Sequence, residues 1–261
     1  MDIQVLGSVS VRYGSRPHTV GSKRLTAILA LLALSPGRAV SADQLEDELW
    51  AGRPLANARN ALQASVGRLR RHLCAITGRP GDELIRTTAS GYQLDVPAHL
   101  VDAQRFREQA AGGSALVARD PALAALALED ALALWRGPAL MDVHDGLRLR
   151  IAAADLEERR ITAYEDLITA RLAVDPRGIS LPELRAIAAE HPERERLSEL
   201  LMLALYHAGR QSEALDVFHR ARRRLAEEMG LEPGRALHRA YQAILEQDDA
   251  LGEPRRVLAA L

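Results

Sequence analysis

The chain has 261 residues, 48% hydrophobic and 26% charged, which exceeds the usual single-domain size and lies well away from the composition of disordered chains, so two packed cores are expected. Its single cysteine, Cys74, excludes an internal disulfide and a Cys-based zinc site. The N-terminus lacks a basic segment followed by an apolar one, and no apolar run approaches the length of a membrane span, so a cytoplasmic protein without membrane contact is expected.

The formal net charge of -1 hides an asymmetry: residues 1–99 hold 12 Lys/Arg against 8 Asp/Glu, whereas residues 100–261 hold 22 against 27. A basic front and an acidic rear suggest a polyanion-binding end. Only Lys23 among the 34 basic residues is lysine; the bias is compositional, so arginine carries weight only through its placement.

The opening is strand-like. Ile3 to Leu6 and Val9 to Val11 alternate between Gly7 and Gly14, which predicts a small antiparallel sheet. Ser22 then caps a helix with Leu25, Ile28, Leu29 and Leu32 on one face, stopped by Ser35-Pro36-Gly37. Ser41 and Gln44 form a capping box for a second helix carrying Leu45 and Leu49. A third helix is predicted from about Ala56 or Asn57 to Cys74, with Ala58, Leu62, Val66, Leu69 and Leu73 buried. Glu83–Thr87 and Gly91–Leu94 follow as a hairpin. Sheet, three helices and hairpin are the order of an α+β winged helix-turn-helix with an N-terminal sheet.

After Pro97 the pattern becomes nearly continuous helix to Gln247, with breaks expected at Gly112-Gly113, Gly137-Pro138, Asp175-Pro176, His191-Pro192 and Pro233-Gly234. The domains expected are 1–97, 98–250 and a tail, 251–261. Leu201 and Leu205, then Gly209, then Ala214, Phe218 and Ala221 follow the tetratricopeptide spacing, in which small residues let paired helices approach and an aromatic fills the gap between pairs. The other helices fit this pattern only loosely. The rear domain therefore reads as an all-α, tetratricopeptide-like helical repeat.

On a helical wheel the third helix turns Asn57, Asn60, Gln63, Ala64, Gly67, Arg68 and Arg71 away from Leu62, with no acid between Asn57 and Leu73. Asn and Gln can pair with adenine edges and Arg with guanine, while Ala64 and Gly67 permit close approach to a groove floor. Arg59 and Arg70 lie on the flanks, placed for phosphates. Arg86, Thr87 and Thr88 of the hairpin form the candidate wing, and Tyr92 is expected to pack on the third helix. Lys23 and Arg24 open the first helix and are further candidate phosphate donors. The competing reading of these surfaces is a solvated face on an Arg-rich protein.

Ser22-Lys23-Arg24, Glu48-Leu49-Trp50, Ala58 to Gln63, Arg68 to Arg71 and Ser90-Gly91-Tyr92 in the front half, with Ala133 to Leu140, Glu190-His191-Pro192 and Leu203 to Leu215 in the rear, together resemble the SARP (Streptomyces antibiotic regulatory protein) family. The resemblance covers essentially the whole chain and implies an OmpR-like winged helix joined to a bacterial transcriptional activation domain. It further implies an activator of biosynthetic gene clusters that binds direct repeats in double-stranded promoter DNA near the -35 element, recruits RNA polymerase holoenzyme, and forms a homodimer at least on DNA. The loop containing Gly52, Arg53, Pro54 and Leu55 is implied to face polymerase, with the alternative that it is a plain connector and Trp50 belongs to the core. Val174 to Ile179 departs from the family's expected Gly-Arg-His-like turn. No G-x-x-x-x-G-K-[ST] run is present, so no nucleotide or other cofactor is expected.

An enzyme is disfavoured: the histidines are dispersed, neither H-E-x-x-H nor G-x-S-x-G occurs, and His144-Asp145 reads as surface loop. A helical-repeat adaptor whose front domain merely packs is the second rival. Winged helices serve repressors as well as activators, so the sign of regulation rests on the resemblance alone.

Overall fold

The strand-like opening folds as an antiparallel sheet of β1 (Asp2–Gln4), β2 (Ser10–Tyr13) and β3 (Arg16–Thr19) in that order, with Ile3 opposite Val11. The computed structural model describes residues 1–50, 56–143, 145–248 and 251. The chain forms two compact units: Met1–Ala110 with Asp130–Ile161, and Ala111–Glu129 with Thr162–Leu261. These units cut the chain elsewhere than a boundary near residue 97 would. The front unit takes in a stretch from the rear half of the sequence.

In the front unit, α1 (Lys23–Ala33) buries Leu25, Ile28, Leu29 and Leu32. Ser22 is its N-cap by position, but the side chain makes no cap bond; its carbonyl instead accepts from the amide (3.0 Å) and hydroxyl (3.2 Å) of Thr26. The short strand β4 (Ala39–Ser41) leads into α2 (Ala42–Leu49), where the Ser41 hydroxyl accepts from Gln44 N at 3.1 Å and the Gln44 amide oxygen from Ser41 N at 3.2 Å. The capping box is therefore complete. The third helix, α3 (Ala58–Thr77), buries Leu62, Val66, Leu69 and Leu73. It runs past Cys74 to Thr77, because Gly78 at φ 70° supplies the left-handed terminus.

The wing is a three-stranded sheet in the order β4, β6 (Gly91–Leu94), β5 (Ile85–Thr87), entered through the single turn α4 (Gly81–Leu84). Two glycines allow this packing. A Cβ on Gly81 would lie 2.2 Å from the Arg70 carbonyl oxygen, and one on Gly91 would lie 2.1 Å from that of Val40. The β4 strand was absent from the sequence expectation; its three residues pair with a partner fifty positions away, at Tyr92 and its neighbours.

The rest of the front unit wraps its N-terminal sheet. Asp102, at the start of α5 (Asp102–Leu116), is buried and accepts from Val5 N (2.8 Å), Leu6 N (3.2 Å) and the Arg136 guanidinium (3.1 Å). Burial pushes its carboxyl above the ordinary range, opposed by those three donors. After α6 (Pro121–Leu132), a loop bonds back to the same strand ends: Arg136 N to Leu6 O, Leu140 N to Val5 O and Met141 N to Gly7 O. Trp135 lies edge-on to Phe106, centroids 5.2 Å apart, under the Arg160 guanidinium. The buried Glu48 of α2 then caps α7 (Leu147–Val174), accepting from Arg148 N and Leu149 N, both at 2.8 Å.

In the rear unit the expected break at Gly112-Gly113 does not occur, since α5 runs on to Leu116. Gly113 serves packing instead. A Cβ there would sit 2.7 Å from Leu128 Cγ of α6. Beyond Asp175-Pro176 the chain forms α8 (Leu181–Glu190), α9 (Glu195–His207), α10 (Gln211–Arg224) and α11 (Arg235–Glu246). The α9 helix packs against α8, α10 and α11. Leu201, Leu205, Ala214, Phe218 and Ala221 are buried, and Gly209 makes the turn at φ 74°. Phe218 stacks on Tyr241 of α11 at 4.1 Å, filling the gap that the repeat spacing assigns to an aromatic. Residues 252–261 of the expected tail lie outside the described residues.

Candidate nucleic-acid interface

The residue pattern of α3 separates two faces. With Leu62, Ser65, Val66, Leu69 and Leu73 turned inward, Asn57, Arg59, Asn60, Gln63, Ala64, Arg68 and Arg71 are all exposed. The buried side includes two polar residues, Ser65 and, in the last turn, Thr77, whose hydroxyl donates to Leu73 O at 2.8 Å. Ser65 resolves its burial by donating to Ala61 O at 2.8 Å and accepting from Arg68 Nη2 at 3.2 Å, which steadies Arg68 at the rim of the outward face. Among the described residues Arg68 and Arg71 make no ion pair with an acid. Asn57 occupies the N-cap position without a side-chain cap bond, so its amide is not consumed by the helix start.

The flanks are more engaged. Arg59 reaches Asp43 (3.1 Å) and Glu46 (3.3 Å) of α2, so its head is held by acids on the neighbouring helix. Such exposed pairs are weak, and phosphate oxygens can compete for the same guanidinium. Arg70 differs from the phosphate-facing side chain that its flank position suggested. Half-buried, it donates from Nε (2.9 Å) and Nη2 (2.6 Å) to Ile85 O and from Nη2 to the Thr87 hydroxyl (2.9 Å). Its guanidinium also lies 6.0 Å from the Tyr92 ring centroid, and Tyr92 is buried against α3 as its sequence position implied.

In the wing, Arg86 is exposed and pairs with Asp95 at 2.7 Å. Thr87 is exposed beside it, while the Thr88 hydroxyl closes the hairpin turn by accepting from Gly91 N at 3.1 Å. The recognition-helix candidates and the wing candidates thus adjoin, tied by Arg70. Lys23 and Arg24 stand apart at the start of α1: Lys23 pairs with Asp145 at 2.8 Å, and Arg24 lies 5.3 Å above Trp50. Trp50 is only half-buried and stands outside the buried core. Gly52, Arg53, Pro54, Leu55 and His144 lie outside the described residues.

Sequence reasoning missed Glu48 and Asp102 as buried anchors, since an acid capping a distant helix or strand end has no local spacing signature. No described helix is long and apolar enough to cross a membrane.

Two family models match: "Transcriptional regulatory protein, C terminal" over residues 18–94 and "Bacterial transcriptional activator domain" over residues 101–245. The transcriptional regulator RedD of Streptomyces coelicolor is 41% identical over 256 residues, covering 97% of this chain and 73% of that protein. The regulatory protein DnrI of Streptomyces peucetius is 35% identical over 256 residues, covering 96% of this chain and 94% of DnrI. A solved structure of Mycobacterium tuberculosis EmbR in complex with a low affinity phosphopeptide superposes with a TM-score of 0.90 at 30% identity, over 99% of this chain and 69% of that one. With the front half folded as a winged helix and both models matched along nearly its whole length, the chain belongs to the SARP family of DNA-binding transcription regulators and is not an enzyme.

Proposed function

We propose that this protein activates transcription by reading direct repeats in promoter DNA near the -35 element and recruiting RNA polymerase holoenzyme, as expected for control of a secondary-metabolite (antibiotic) gene cluster. It would act in the cytoplasm, on the nucleoid. The observation that carries the reading is the acid-free, exposed face of α3, with Asn60, Gln63, Arg68 and Arg71 around the small residues Ala64 and Gly67. A helix lying in the major groove needs this combination: amide and guanidinium donors for base edges, little bulk at the centre, and no carboxylate to repel phosphate.

Asn57, Asn60, Gln63 and Arg68 are assigned to base edges, and Arg59 and Arg71 to phosphates. Arg86, Thr87 and Thr88 contact the backbone beside the helix, with Lys23 and Arg24 at the outer margin. Two protomers bind head to tail on repeats about one helical turn, ~34 Å, apart, which puts both α3 helices on one face of the duplex. The rear helical domain (98–250) and the loop of Gly52 to Leu55 supply the polymerase contacts.

Footprinting on the DNA upstream of the protein's neighbouring genes, with and without polymerase holoenzyme, tests the reading. Gln63→Ala and Arg68→Ala should each cost about 1–3 kcal/mol and relax base preference, whereas Arg71→Ala should weaken all sequences alike and lower the salt slope by about one. No protected repeat, or operator affinity and salt dependence unchanged in all three variants, would overturn it. A footprint that displaces polymerase would make the protein a repressor.

A further inference from the structure

The side chain on α3 that the interface does not use outwardly is Arg70, and its surroundings give it a different task. Three donated bonds, two to Ile85 O and one to the Thr87 hydroxyl, fix its guanidinium against β5, an edge strand of the wing sheet. Behind it, Tyr92 of the middle strand β6 presents its ring to the cation. At the other end of the residue, the Arg70 carbonyl sits where Gly81 leaves no room for a side chain, so the backbone of α3 is pressed on the turn that starts the wing. The residue is clasped from both ends by the segment that follows it.

The bond to Thr87 has a chemical consequence. A threonine hydroxyl has one proton and two acceptor lone pairs. With a lone pair held by a cationic donor, the proton remains for an outside partner, and a phosphate oxygen, which only accepts, is the partner that suits it. We propose that Arg70 is a positioning residue for DNA recognition: it latches the wing to the recognition helix and orients the exposed Thr87 hydroxyl as a donor to the DNA backbone. Helix and wing then meet the duplex as one body, and the register of the flanking contact is set before binding. The inference rests on the DNA-binding reading above, because it specifies how that same surface is assembled.

The experiment uses the full chain and four variants: Arg70→Lys, Arg70→Met, Thr87→Val and Thr87→Ser. Amide hydrogen exchange without DNA reads the latch, and hydroxyl-radical footprinting with a salt titration on the wild-type operator duplex reads the contact. Both Arg70 variants should speed exchange across β5 and β6 while leaving α1 unchanged. On DNA they should lose backbone protection flanking the α3 contact and bind about tenfold more weakly, with discrimination among bases retained. Lysine keeps the charge but cannot make the forked set of bonds, so it should fail like methionine. Thr87→Val should lose the flanking protection, and Thr87→Ser should restore it.

Arg70→Lys with wild-type affinity and flanking protection would mark Arg70 as an ordinary cation and overturn the proposal. Unchanged wing exchange in Arg70→Met would do the same, and full flanking protection by Thr87→Val would remove the hydroxyl's role. Should the wild type footprint nowhere, the DNA-binding reading falls, while hydrogen exchange alone still decides whether the latch exists.

Discussion

Replacing Glu48 probes the buried contact that joins the helix-turn-helix to the start of α7. Its carboxylate accepts two backbone N–H groups at 2.8 Å, and a Cβ on Gly146 would fall 2.0 Å from its Cδ and Oε1. Hydrogen bonds to a charged acceptor are each worth about 1.5–3 kcal/mol, and removing a helix cap costs about 0.5–2 kcal/mol. Glu48→Ala leaves the buried Leu149 N–H and the part-buried Arg148 N–H without their acceptor, so a loss of about 3 kcal/mol is expected; Glu48→Gln keeps one acceptor and should lose about 2 kcal/mol. Gly146→Ala should cost a similar amount by expelling the carboxylate. Once Glu48 is alanine, however, the same change should add little, giving a coupling of about 2 kcal/mol in the double-mutant cycle. Both tryptophans, Trp50 and Trp135, fall in the front unit, so their fluorescence in urea follows the surroundings of that unit. At an m-value of about 2 kcal/mol per molar, the alanine variant should shift the midpoint down by about 1.5 M. A cost below about 0.5 kcal/mol, or strict additivity with Gly146→Ala, would refute the capping argument.

Asp102, its carboxyl raised by burial, contributes stability that is fully present below the unfolded value of 3.8 and is lost as pH rises through its folded pKa. The stability difference between wild type and Asp102→Asn should therefore change in that window and be flat above it; a pH-independent difference in acid-range denaturation curves would contradict the assignment. Gly91→Ala should displace Val40 and cost about 2–4 kcal/mol, with loss of β4–β6 pairing visible as faster amide exchange at Tyr92, whereas Gly67→Ala, with open space around its Cβ, should not destabilise the fold. On the rear unit, the guanidinium of Arg210 and then that of Arg185 hold Glu213 down at about 2, so its contribution is present above the unfolded value of 4.5 and lost as pH falls through about 2. A carboxyl carbon titration by NMR that placed Glu213 near 4.5 would show those contacts to be absent in solution.

Much of the local chemistry was readable from the sequence, although the Ser22 side chain, placed as a cap, makes no cap bond. The Ser41–Gln44 box, the inward leucines of α3 and the Gly209 turn all rest on spacings of a few residues. What depended on a distant neighbour was not readable. Gly113 looks like a helix breaker until Leu128 is placed against it. Arg70 looks like a surface cation until the edge of β5 is brought alongside, and nothing in the spacing of Glu48 or Asp102 separates them from solvated acids. The candidate interface was legible as a helix face because periodicity defines a face; the partition of its arginines between solvent, α2 and the wing was not.

The loop that returns to Val5, Leu6 and Gly7 bears on how such regulators can be recombined. Residues 136–141 supply backbone partners to the N-terminal strand ends, and Arg136 completes the charge on Asp102. A chimera spliced between the two matched family models would strip the DNA-reading module of these partners. Exchange of promoter preference between relatives is therefore expected to succeed when the stretch through Ile161 travels with the front of the chain, and to yield poorly soluble hybrids when the join falls at residue 97.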